Sequence, residues 1–172
     1  MFRARRETGE ESDPESLRQL NRLLAVGATE LGHFVTTYQI GDDDYNTSFS
    51  LESPDGEFLG ECGVGISEFM ADAPHRVTAF EVWLFDKHDI KTVTRVLASG
   101  YASSNEAMHH KLQARGEVVL AAAGGEISLE TELLWVGATI SEMAYGRGSA
   151  PQSFFTTLTI ELAIAMKNRA PA

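Results

Sequence analysis

The chain has one cysteine, Cys62, among its 172 residues, so it forms no internal disulfide and no multi-cysteine zinc site. Basic side chains are scarce as well. Fourteen Lys and Arg against 25 Asp and Glu leave a formal charge of −11. That balance argues against nucleic acid as a partner, because phosphate backbones are held by clustered cations that release counterions. Apolar runs are short. None approaches the ~20 residues that a membrane-spanning helix requires. The opening MFRARR is basic, yet RETGEESDPES follows it instead of the apolar core of a secretory signal. A cytoplasmic location without membrane contact is the expectation. The acidic residues that follow largely cancel the arginines.

What is present describes an ordinary globular chain, 43% hydrophobic and 23% charged, long enough for one core. Residues 1–13 are polar, mixed in charge and expected to be a disordered tail. An amphipathic helix is expected over 14–32. Asp13 is its cap, Pro14 lies in its first turn, and Leu17, Leu20 and Leu24 form its apolar stripe. A single β-rich domain is expected over 33–172.

From Phe34 the apolar period changes to two, with Phe34, Thr36 and Tyr38 on one face. SPDG at 53–56 is a turn, and RVTAFEVWLFDK is apolar on both faces, as in a central strand covered on two sides. Asp89 reads as the cap of a helix carrying Ile90, Val93, Val96 and Leu97, with Gly100 as its stop. A second helix follows, capped by Ser104 or Asn105, with Met108 and Leu112 buried and Gly116 as its stop. The last third returns to strands. In the final one, Phe154, Leu158, Ile160, Leu162, Ile164 and Met166 face the core and alternate with Phe155 and polar residues. About seven or eight strands with turns at short intervals give an antiparallel β-sandwich or partly open barrel, with an N-terminal amphipathic helix and two short helices in a mid-chain crossover. An α+β sheet with helices on one face is the alternative.

The one stretch that resembles a motif is GEFLGECGVGIS at 56–67. Its glycines are in the order G-x-x-G-x-G, with no Lys after them and strand-like residues following, which fits neither a dinucleotide fingerprint nor a P-loop. Glycines in a strand mark bending or close backbone approach. Cys62 becomes a nucleophile only beside a base that lowers its pKa, and the five histidines are distant in sequence. His109 and His110 are adjacent on a helix and point about 100° apart, so they do not grip one metal together. The acidic loop 42–44 lacks the Gly and Glu of an EF-hand. Asp42 and Asp44 could still meet Asp86 of DKHD around a divalent cation if the two loops share a rim.

The leading expectation is a noncatalytic protein-interaction or assembly module that needs no cofactor and meets a protein partner or a second copy of itself. Its candidate contact residues are Leu17, Leu20 and Leu24 on the helix, with Tyr145, Arg147 and Phe155 around the loop YGRGSAPQSFF. The alternatives are a β-sandwich binding a small molecule or divalent cation, and an enzyme using Cys62 with a nearby histidine.

Overall fold

The computed structural model describes residues 14–148 and 150–168, so the expected tail over 1–13 and the capping role of Asp13 lie outside the described residues. In chain order the elements are α1 (Glu15–Ala25), β1 (Thr29–Gln39), β2 (Asn46–Glu52), β3 (Phe58–Met70), β4 (Ala73–Asp86), β5 (Lys91–Ala98), α2 (Gly100–Ser104), α3 (Glu106–Gln113), β6 (Glu117–Leu120), β7 (Glu126–Glu130), β8 (Leu134–Tyr145) and β9 (Phe155–Met166). They form two sheets, one of four strands in the order β1-β9-β8-β7 and one of five in the order β2-β3-β4-β5-β6. Every strand pair is antiparallel except β5 with β6. That parallel pair needs a crossover, and α2 and α3 supply it. The result is an open β-sandwich. No helix among the described residues is long and apolar enough to cross a membrane.

Period-two patterning places one face of each strand between the sheets. Val64, Phe80, Val82, Leu84 and Leu97 of the five-stranded sheet meet Tyr38, Leu134, Val136, Ile140, Leu158, Ile160 and Leu162 of the four-stranded one. Phe80 is the hub. Its ring centroid lies 4.9 Å from that of Tyr38, 5.2 Å from Phe155 and 6.1 Å from Tyr45, all in edge-on geometry. Phe34 stacks on Phe49 at 4.3 Å and closes the side of the sandwich where β1 and β2 lie.

Four expectations change. First, α1 ends at Ala25 and not near 32, because Gly27 takes φ +97° and its N–H turns back to the Leu24 carbonyl. Strand β1 then starts at Thr29, opposite Met166. Second, the helix expected after Asp89 is the strand β5. Thr92, Val93, Thr94 and Val96 are β-branched, and they pair with β4 along its whole length. The two crossover helices are instead α2, capped by Ser99, and α3, capped by Asn105 as expected. Third, Phe155 joins the central core cluster, whereas Phe154, buried as expected at 4% exposure, lies outside that cluster. The register between β8 and β9 shifts between Ala144 and Tyr145, which reverses the alternation at the start of β9. Phe154 is held under the Arg76 guanidinium, 4.5 Å from its ring centre. Fourth, shifts between Ile66 and Phe69 in the β3–β4 ladder turn Val77 inward with Phe80, away from Ala79 and Trp83.

Removing the hub should cost what large aromatic cavities cost. Phe80→Ala is expected to lower unfolding free energy by about 3–5 kcal/mol. Urea denaturation checks it, and a loss under about 1 kcal/mol would show that the two sheets are not held through this ring.

Candidate functional site

The glycine-rich strand β3 packs Cys62 and Val64 inward, so Glu61, Gly63 and Gly65 lie on the outer face. Gly63 pairs with Trp83 of β4. A Cβ at Gly63 would come within 2.5 Å of the Trp83 six-membered ring and of the Thr47 carbonyl oxygen, so the bare backbone is the seat of the indole. Trp83 itself is only half-buried. Phe85 follows two residues on, and pairing brings Glu61 beside Phe85 and Thr94 beside Trp83. Exposed Ser48 and Ser50 complete the row on β2. The crossover helices cover Ala79, Val96 and Ala98 through Ala102, Met108 and Leu112, and no element among the described residues covers the Trp83 end of the same face. Half-buried Glu61 and Glu81 bracket the indole along the sheet. No ion pair among the described residues neutralises either one.

The other sheet treats its outer tryptophan differently. Trp135 is fully buried beneath α1, packed by Leu20, Leu23 and Leu24 with Ala163 and Ala165. Its indole N–H has no acceptor among the described residues. A carboxylate fixes the helix over it. Glu126 of β7 accepts from the Glu15 N–H at 2.9 Å, the Ser16 N–H at 3.1 Å and the Ser16 hydroxyl at 2.6 Å, capping the helix from another element. Burial alone would raise the Glu126 pKa, but these hydrogen bonds and one from Thr139 outweigh it and hold the carboxyl below its ordinary value.

Of the six contact residues read from the sequence, most are committed inside the fold. Leu20 is 5% exposed and Leu24 packs in the same cluster, whereas Leu17, 40% exposed, lines an outer groove with His33 and Glu161. Phe155 is fully buried in the core. Tyr145 packs 5.0 Å from Phe155, its hydroxyl accepts from the Gly100 N–H at 3.2 Å, and burial pushes its pKa up. Only Arg147 and Leu17 remain exposed.

The cation triad does not assemble. Asp42 and Asp44 precede Asn46, which pairs with Gly65 and through it with Glu81, while Asp86 pairs with Gly60 and through it with Leu51, at the other end of β2. Asp86 is completely buried and already engaged. It accepts from the Thr131 hydroxyl at 2.6 Å, the His88 N–H at 2.8 Å and the Leu133 N–H at 3.1 Å. Burial opposes its charge, yet those bonds keep its pKa below the usual carboxylate range. Among the described residues no group of three His, Cys, Asp or Glu could hold a metal ion. In the acidic loop it is Asp43 that finds a partner, His75 at 2.6 Å.

Cys62 is fully buried among core side chains. Burial, with the charge of Glu61 adding to it, pushes its thiol up to about 12. That environment opposes the thiolate a nucleophile needs. Sequence reading missed the Trp83 face, since it put Trp83 on a strand covered from both sides. The pairing of Gly63 with Trp83 is a matter of register and appears in no single strand. Compared with protein-family models, curated proteins and solved structures, the chain has no significant match.

Two outcomes follow for these groups. Cys62 is expected to stay unlabelled by a thiol reagent at pH 8 until the chain is unfolded in denaturant; rapid labelling of the native protein would contradict its burial. Glu126→Ala is expected to cost about 1–2 kcal/mol. In a Trp83→Phe background it should also red-shift the emission of Trp135. Because the folded pKa of Glu126 is lowered, the helix latch is fully present above its ordinary value of 4.5 and weakens as pH falls through the lowered one. The wild-type emission should therefore move toward that of the variant only in acid, and an identical pH profile in both would argue against the latch.

Proposed function

We propose that the protein is a noncatalytic binding module whose docking surface is the open end of the five-stranded sheet around Trp83, and whose partner is a basic segment of another protein. One observation carries this reading: a half-buried indole seated on Gly63 between Glu61 and Glu81, neither of which has a cationic partner among the described residues. A tryptophan face attracts guanidinium and ammonium groups, and flanking carboxylates add to that attraction. Ser48, Ser50 and Thr94 offer hydroxyls for the backbone of such a segment. The chain's charge of −11 draws a basic partner and opposes pairing of this face with a second copy of itself. A single buried thiol suits a reducing compartment such as the cytoplasm.

Titration of the protein with a basic peptide of alternating Arg and Gly, with an acidic peptide as control, tests this reading. Binding is expected for the basic peptide alone, weakened at least about tenfold by Trp83→Ala, the loss typical of an interface hot spot. A Glu61→Gln, Glu81→Gln double variant should flatten the salt dependence. Equal binding of both peptides, or an unchanged affinity in Trp83→Ala, would refute it.

A further inference from the structure

A second feature lies at the end of the sandwich away from the acidic loop. The buried Asp86 carboxylate ties the turn after β4, through the His88 N–H, to the β7–β8 connection, through Thr131 and Leu133. Backbone bonds fix the neighbouring edges: Lys87 N–H to the Leu59 carbonyl at 3.0 Å and Lys167 N–H to the Leu133 carbonyl at 2.7 Å. Between these anchored segments lies a cleft of about 420 Å³, lined by Phe58, Leu59, Leu133 and Met166 together with Lys87 and His88. That size falls within the range of small-molecule sites, and its walls are held without help from a ligand.

We infer that this cleft binds a small carboxylate with an apolar body, such as a medium-chain fatty acid. The walls supply the apolar half of the recognition. Lys87 supplies the charge: its ammonium lies 5.8 Å from the centre of the Phe58 ring and has no ion-pair partner among the described residues. Phe58 is 38% exposed, a large apolar surface left open where a ligand would cover it. An ion pair formed against apolar walls is screened less than one in open water. Glu57 also lines the cleft, and its carboxylate opposes an anion there. The two charges therefore act with opposite signs on one ligand. The site is separate from the Trp83 face and does not depend on it.

Calorimetric titration of the full chain with octanoate and with neutral octan-1-ol tests the inference, with methyl chemical shifts locating the ligand. Octanoate is expected to bind at least tenfold more tightly than octanol and to shift the methyls of Leu133 and Met166. Lys87→Met should abolish that preference while leaving octanol binding unchanged, and Glu57→Gln should raise octanoate affinity several-fold. Both positions are exposed, so the variants should keep the wild-type near-ultraviolet circular dichroism. Equal affinity for the two ligands in the wild type, no binding of either, or shifts confined to other methyls would overturn the proposal.

Discussion

A strand has two faces, and a two-sheet sandwich gives only one of them an interior. Every apolar side chain on an outer face must be covered by something else or left open. In this protein that constraint sorts the molecule. The four-stranded sheet carries Trp135 outward and α1 closes over it. The five-stranded sheet carries Ala79, Val96 and Ala98 outward, and the crossover helices close over those. Trp83 and Phe85, on the same outer face, have no covering helix among the described residues and are half-buried. Folding needs account for the first two coverings. The third face is where a function can reside.

An acidic chain also uses its carboxylates as structural acceptors. Glu126 gathers the first N–H groups of α1, and Asp86 gathers N–H and hydroxyl groups from two turns in different sheets. Hydrogen bonds to a charged acceptor are stronger than neutral ones and compensate the desolvation of the carboxylate. Both groups consequently hold pKa values below their ordinary ones despite burial. Asp86 thereby ties together two segments that border the cleft beside Lys87, and Glu126 anchors the first turn of the helix over Trp135. Structural chemistry and the geometry of possible ligand contacts come from the same few residues.

Much of the sandwich was legible in the sequence because period-two alternation survives in single strands. The final strand shows how the reading works and where it stops: Leu158, Ile160, Leu162 and Ile164 face the core as their spacing dictates, yet Phe155, expected outward, joins the central core at a register shift that involves β8 while Phe154 is buried outside it. Ile90, Val93, Val96 and Leu97 fit a helical stripe as well as they fit a strand, and only pairing with β4 decides between them. Of the expected stripe on α1, Leu20 and Leu24 pack inward and Leu23 joins them, while Leu17 stays exposed. What they meet was not readable, since Trp135 is more than a hundred residues away. The same holds for the site. Gly63 and Trp83 were each visible in the sequence, but their contact, like the joining of Asp86 to Thr131, exists only once the sheets are assembled.

The two tryptophans report on this arrangement directly, because one indole lies under a helix and the other on a sheet face that no described element covers. Acrylamide quenching of single-tryptophan variants, Trp83→Phe and Trp135→Phe, measures the access of solvent to each. The expected result is efficient quenching of Trp83 and little quenching of Trp135 in the native state, with the difference lost on unfolding. Equal protection of both would mean that the face of the five-stranded sheet is covered, and equal access would mean that α1 does not close the other; either would contradict the division of the molecule into one closed and one open outer face.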